Sequence, residues 1–264
     1  MQLVALFCHD PQLRSLLQDL HRREPALSDL LLHPVSEGVS SDSVFAALRP
    51  LNFAGALVLD DVTQREAFAA AARTSLDAQE VGAADALAVT PFGLVGEYTF
   101  GRAAGRALRR AGWDGRGASA VVLGSGVRAR ALSRELATLG VRQLAVLSSS
   151  RPLAEETTRL LAATTRIVAK AQDDSLTRSL IESADLLVRA DNAGDIRSAL
   201  LGPHLTVVDL EGGAMSALRR QATEVGALSL SLRDVQAEQL ALALGHLLEA
   251  RLETGLFLEL FHNL

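Results

Sequence analysis

The residues with the plainest chemical use are three small ones. Gly124, Gly126 and Ala129 follow an apolar run ending at Leu123, and a helix-like stretch to Leu136 follows directly. The spacing G-x-G-x-x-[G/A] between a strand and a helix is one by which a chain cradles a pyrophosphate. The first glycine permits the tight turn, the second lets phosphate approach the backbone, and the small third residue lets helix and strand pack closely. Free N–H groups at the helix N-terminus then face the anion. The expected contacts are Gly124, Ser125, Gly126, Val127 and Arg128. Arg128 sits in the first helical turn, where a cation opposes the helix dipole. A bound anion would offset it, and plain solvation is the alternative. Glycine turns of this shape also occur without a ligand, so a purely structural turn stays open.

The next strand distinguishes one dinucleotide from the other. An NAD reader carries Asp or Glu at its end to hold the ribose 2′-OH, whereas an arginine there accommodates a 2′-phosphate. Here the strand ends with Ser148, Ser149, Ser150 and Arg151, with no carboxylate among them. NADP is therefore expected ahead of NAD. The competing reading is that the serines only cap the following helix.

These residues need a scaffold, and the pattern of the chain supplies one. Short apolar runs alternate with helix-period segments from end to end, which predicts an α/β protein with parallel sheet. In the first part, QLVALF, DLLLHPV and GALVLD read as strands. QLRSLLQDLHRR, SVFAALRPL and QREAFAAAARTSL read as helices, and Asp10 with Pro11 starts the first of them. DALAVTPFGLVGEY reads as two strands around a turn at Pro91 to Gly93. A helix over about 99–111 leads to a second series of strands near 118–123, 143–148, 165–168, 185–188, 205–210 and 226–229. One long amphipathic helix, opened by a capping box of Ser231 and Asp234, closes the pattern. Two α/β lobes are expected: 1–101 plus about 232–264, and 102–231, with the C-terminal helices returning to the first lobe.

Composition narrows the functional classes. With 264 residues, 48% apolar and 22% charged, the chain can bury a full core. A formal charge of −5 argues against a nucleic-acid partner, which demands a basic face. The one cysteine, Cys8, excludes an intrachain disulfide and suits a reducing, cytoplasmic location. The start MQLVALFCHDP lacks a basic n-region, and no apolar run reaches membrane-spanning length, so neither a signal peptide nor a membrane is expected. The six histidines show no zinc-type spacing, so no metal is expected; His21 and the rest read as packing or surface. Arg102, Arg106, Arg109 and Arg110 form a stripe that reads as a solvated helix face or an attractor of anions. The leucine-rich C-terminal helices read as core or as the surface of a homodimer.

The order of these elements, together with six local motifs, resembles the shikimate dehydrogenase family of aromatic amino acid biosynthesis. GLVGEYTFGRAAGRAL is similar to its G-x-N-T-D-x-x-G-F-x-x-A-L through Gly96, Thr99, Ala107 and Leu108. VVLGSGVRARAL resembles its L-G-A-G-G-A-x-R-A turn, EVGAADAL its I-G-A-V-N-T-V, and RSLLQDLH its H-S-L-S-P-x-M-H. VVDLEGGAMSALRRQATEVGA is similar to D-x-x-Y-x-P-x-x-T-x-x-L-x-x-A-x-x-x-G, and DVQAEQLAL to the glutamine-alanine start of the last helices. The resemblance spans essentially the whole chain. It implies an α/β substrate lobe, completed by C-terminal helices, and a Rossmann lobe for NADP.

The departures from that pattern bear on chemistry. The resemblance implies a lysine and an aspartate beside the reacting hydroxyl; those positions fall at Thr63 and Phe100. The single lysine, Lys170, lies in the other lobe. General acid–base assistance is worth on the order of a hundred- to ten-thousandfold in rate, and phenylalanine supplies none of it. Arg65 stays charged, and Asp60 and Asp61 read as a solvated turn. Of the implied substrate contacts, Ser15, Thr99 and Gln236 are kept, while others fall at Leu17, Leu59 and Asp85. Asp85 would repel an anionic substrate, and Leu17 and Leu59 would make the pocket more apolar. The family's pair for the 2′-phosphate falls on Ser148 and Ser149, with Arg151 as the candidate substitute.

Three functions follow as expectations. The first is a shikimate dehydrogenase-like, NADP-binding pseudoenzyme. The second is an NADP-dependent oxidoreductase acting on a less polar small molecule, with Tyr98 as proton donor. The third is a dimeric scaffold without nucleotide.

Overall fold

A computed structural model describes residues 1–159, 161, 165–191, 193–194, 196–211 and 216–262. The chain divides into two compact units, Met1–Thr99 with Gln239–Leu264, and Phe100–Glu238. The chain from Gln239 on thus groups with the first unit, while 232–238, expected there too, group with the second.

The first unit runs β1 (Gln2–Phe7), α1 (Pro11–Gln18), α2 (Leu20–Arg23), β2 (Leu30–Pro34), α3 (Ser41–Leu48), β3 (Gly55–Val58), α4 (Asp61–Ala70), β4 (Arg73–Thr74), α5 (Leu76–Val81), β5 (Ala86–Thr90) and β6 (Gly93–Glu97). Its sheet has the order β2-β1-β3-β5-β6-β4. β1 is parallel to β2 and β3, and β5 is antiparallel to β3 and β6. Helix starts follow the side chains available. Asp10 accepts from the Gln12 and Leu13 N–H groups ahead of α1, with Pro11 as the first helical residue. Both devices satisfy or remove donors that a helix start leaves without partners. The core gathers Ala5, Phe7, Phe45, Val58 and Leu87 between sheet and helices.

Two elements differ from the periodicity. The helix expected over QREAFAAAARTSL starts earlier, because Asp60 accepts from the Thr63 N–H, and it ends at Ala70. Beyond it, Ala72 N–H donates to Leu94 O and Ser75 N–H to Gly96 O, each at 2.9 Å, so pairing with β6 draws the chain out as β4. The long closing helix is likewise broken after Leu247. Glu249 adopts φ 50°, a left-handed conformation that ends a helix.

The second unit runs α6 (Phe100–Arg110), β7 (Ser119–Leu123), α7 (Val127–Thr138), β8 (Gln143–Ser148), α8 (Arg151–Thr158), β9 (Arg166–Ala171), α9 (Thr177–Glu182), β10 (Leu186–Arg189), β11 (Thr206–Asp209), α10 (Ala217–Glu224), β12 (Leu228–Ser231) and the start of α11 (Leu232–Leu247); α12 (Thr254–His262) ends the first unit. Its sheet, β12-β11-β10-β7-β8-β9, is parallel throughout. Strands buried on both faces read as unbroken apolar runs, and every residue of β7 and β11 is buried. The expected capping box opens α11: the Ser231 N–H and hydroxyl both donate to Asp234 at 2.7 Å. Among the described residues no helix is long and apolar enough to cross a membrane.

Candidate functional site

In the second unit the strand order reverses between β7 and β10, which lie side by side with Leu123 opposite Arg189. Ligands of open parallel sheets bind at such a switch point, beyond the carboxyl ends of the strands. The glycine turn stands there. Gly124 has φ +128°, a conformation L side chains rarely adopt, and Gly126 is the residue before α7. Ser125, Gly126 and Arg128 are half-buried; Val127 and Ala129 are buried.

A residue that sequence reasoning missed completes this turn. Asp191, just beyond β10, accepts the Ala129 N–H through Oδ2 at 3.0 Å. Gly126 has no side chain to cap its helix, and Asp191 performs that office from the neighbouring strand. Its signal was a carboxylate directly after a buried apolar strand, but nothing in the sequence says which glycine it meets. Beside it, Arg189 makes a two-pronged pair with Asp209 at 2.8 and 2.7 Å.

The cations expected to face anions are engaged. Arg128 lies over the Phe100 ring at 5.7 Å. Arg106 and Arg110 reach Glu238, and Arg109 reaches Glu135. At the end of β8, Ser148 is buried and Ser149 exposed, while Ser150 makes no side-chain cap bond to α8. Arg151 pairs with Glu155 one helical turn on, at 2.7 Å. Lys170 pairs with Asp174 in the same unit. Residues 212–215 of the segment resembling D-x-x-Y-x-P lie outside the described residues.

In the first unit the expected substrate residues divide by burial. Ser15 is exposed and Leu59 half-buried, and Leu17 is 0% exposed in the core. Gln236, assigned to the second unit, is half-buried on α11. Thr63 is 8% exposed and donates its N–H to Asp60, which serves as a helix cap rather than a solvated turn. Tyr98 and Phe100 are each 2% exposed, in the first and second units respectively. Burial pushes the Cys8 thiol up to about 11, which keeps it protonated and unreactive at neutral pH.

Asp85 and Thr99 come together, with a partner that sequence reasoning did not name. Asp85 is 0% exposed. Its carboxylate accepts the Thr99 N–H at 2.9 Å, the Thr99 hydroxyl at 2.8 Å and the Gln239 side-chain amide at 2.9 Å. Burial pushes this carboxyl up to about 6, against the hydrogen bonds from Gln239 and Thr99 that lower it. Gln239 lies three residues beyond Gln236, on the face of α11 that turns inward.

No family model matches the chain. No curated protein matches it either. Solved structures do. A shikimate 5-dehydrogenase from Listeria monocytogenes, in complex with shikimate and NAD, is 20% identical with a TM-score of 0.83, over 99% of this chain and 96% of that one. A quinate dehydrogenase from Corynebacterium glutamicum in complex with NAD is 18% identical with a TM-score of 0.84, over 100% and 99%. A ligand-free 5-ketofructose reductase of Gluconobacter sp. strain CHM43 is 17% identical with a TM-score of 0.83, over 99% and 98%. The chain therefore has the shikimate dehydrogenase-like fold along its whole length.

Proposed function

We propose that the second unit binds a nicotinamide dinucleotide, NADP ahead of NAD, and that the chain does not turn over shikimate. One observation carries the binding half. The parallel sheet reverses its strand order between β7 and β10, with Gly124 at φ +128° and the start of α7 at that point. The backbone fits the group. Gly124 and Gly126 would let phosphate approach the main chain, and the first N–H groups of α7 would donate to it. Ser148, Ser149 and Arg151 follow β8 with no carboxylate to hold a 2′-OH, which favours the phosphorylated cofactor. When bound, the dinucleotide supplies hydride transfer.

The chain's own residues support the other half. Proton transfer to or from an alcohol needs a titratable side chain at the reacting oxygen. By the resemblance those positions are Thr63 and Phe100; the first has no group that titrates near neutrality, and the second has none at all. Tyr98, enclosed in the first unit, is a poor substitute donor for a substrate that must reach it.

NADPH and NADH fluorescence titrations test the binding. A response to NADPH at lower protein concentration than to NADH is expected, and none with either at near-millimolar cofactor would remove the reading. Shikimate-dependent reduction of NADP tests the chemistry. None is expected, and a rate that disappears on substitution of Phe100 would overturn the second half alone.

A further inference from the structure

We infer that Arg197, in the segment after β10, is the cation that selects the phosphorylated dinucleotide, ahead of Arg151. This rests on the dinucleotide reading above and names the residue by which that same site tells its two candidate cofactors apart.

A cavity of about 330 Å³ opens in the second unit beside the glycine turn. Leu123, the residue before Gly124, lines it together with Ile181, Ile196 and Leu200. An apolar lining around that volume suits a flat ring system. Gln172 fixes where the cavity lies. Its N–H donates to Ser148 O at the end of β8, at 2.8 Å, and its side-chain oxygen accepts the Gly194 N–H at 3.3 Å. The end of β8, the residue after β9 and the segment after β10 therefore meet here. A dinucleotide on a parallel sheet is laid across the strand ends from the switch point. With its pyrophosphate at the Gly124 turn, the half directed towards β8 brings its base to this cavity. The ribose that carries or lacks the 2′-phosphate then comes to the rim.

Three cations near the cavity have an acid beside them. Arg178 has Glu182 at 2.8 Å, Lys170 has Asp174 at 3.1 Å, and Arg151 has Glu155 at 2.7 Å. All three keep their charge, but a phosphate that approaches one of them also approaches a carboxylate of its own sign. Asp174 itself lines the cavity, and hydrogen bonds from the Leu176 N–H and Lys170 hold its carboxyl below the usual range. Arg197 lines the cavity too, is exposed, and makes no ion pair among the described residues. A guanidinium fork matches a phosphate with two parallel hydrogen bonds, and Arg197 forms them without giving up a partner.

Arg197→Ala and Arg151→Ala, compared with the wild-type chain, separate the two arginines, with far-ultraviolet circular dichroism to establish folding. NADPH and NADH fluorescence titrations give the dissociation constants. Adenosine 2′,5′-bisphosphate and 5′-AMP, which carry the adenosine end with and without the 2′-phosphate, are read by the rise in Tm. In Arg197→Ala the dissociation constant for NADPH should rise about tenfold or more, with little change for NADH. The bisphosphate should lose its advantage over 5′-AMP in that variant, and Arg151→Ala should cost NADPH less. Unchanged NADPH binding by Arg197→Ala, or an equal loss of NADPH and NADH, would refute the assignment and leave the dinucleotide reading intact. An equal or larger selective loss in Arg151→Ala would do the same, as would tighter binding of NADH than of NADPH by the wild-type chain. No binding of any of these probes by the folded wild-type chain would remove the dinucleotide reading and this inference with it.

Discussion

Asp85 in the first unit and Asp191 in the second do related work under different enclosure. Asp85 lies beside the carboxyl end of β3, where its carbonyl accepts the Val58 N–H, and Asp191 lies just beyond the end of β10. Each carboxylate accepts an N–H at the start of a helix: Thr99 ahead of α6, and Ala129 in the first turn of α7. Asp85 is sealed from water, and Thr99 and Gln239 donate to its carboxylate there. Asp191 is half-buried, at the glycine turn. Enclosure seals one carboxylate in with its donors and leaves the other partly open to solvent.

The severest way to break this contrast is Asp85→Leu. It strands the Thr99 N–H, the Thr99 hydroxyl and the Gln239 amide without their acceptor, and buried donors left unpaired cost about 1–3 kcal/mol each. A loss of about 3 kcal/mol or more is expected in urea denaturation. A loss near zero would mean that the network does not hold Thr99 and Gln239 to Asp85.

Titration sharpens the same point. Asp85 holds its proton up to about 6 when folded, against 3.8 for an ordinary aspartate. A folded pKa above the unfolded one means that the native state binds more protons between those values, so stability falls as pH rises from about 4 to about 6 and then levels off. The ionisation penalty at neutral pH is about 3 kcal/mol. Asp85→Asn should flatten that part of the pH–stability curve, with Gln239 turning its amide oxygen towards the new NH₂. An unchanged curve would assign the titration to other groups.

Gly124→Ala probes the other aspartate through its neighbour. It places a methyl group at φ +128° against the Asp191 backbone, and a loss of about 1–3 kcal/mol is expected by thermal unfolding. The smallest effect should come from Asp191→Asn. It removes a charged cap from α7 and should cost about 1 kcal/mol. If its cost equalled that of Asp85→Leu, the difference in enclosure would not be what separates the two residues.

Much of the scaffold was legible because it depends on neighbours along the chain. Alternating apolar runs and helical segments mark both units, Asp10 and Pro11 mark α1, and Ser231 with Asp234 marks α11. Each is a contact within four residues. One misread boundary lay where another strand intervened: β6 pulled Arg73 and Thr74 out of a helix that their own segment supports, while the break after Leu247 is the local one at Glu249. The candidate site divides in the same way. Gly124, Gly126 and Ala129 announce a phosphate-type turn by spacing alone, whereas Asp85 read as a group facing substrate and proved to be enclosed.

The sequence by itself determined the α/β alternation, the glycine turn and the side-chain types available at Thr63, Tyr98 and Phe100, since all follow from local pattern and residue identity. Only the tertiary structure decided that β10 lies against β7, and so that Asp191 meets Ala129 across 62 residues of chain. It likewise joined Asp85 to Gln239 across 154 residues. A carboxylate is a charge anywhere in a sequence. Whether it repels a ligand, caps a helix or is sealed in with its donors depends on what folding brings within 3 Å of it.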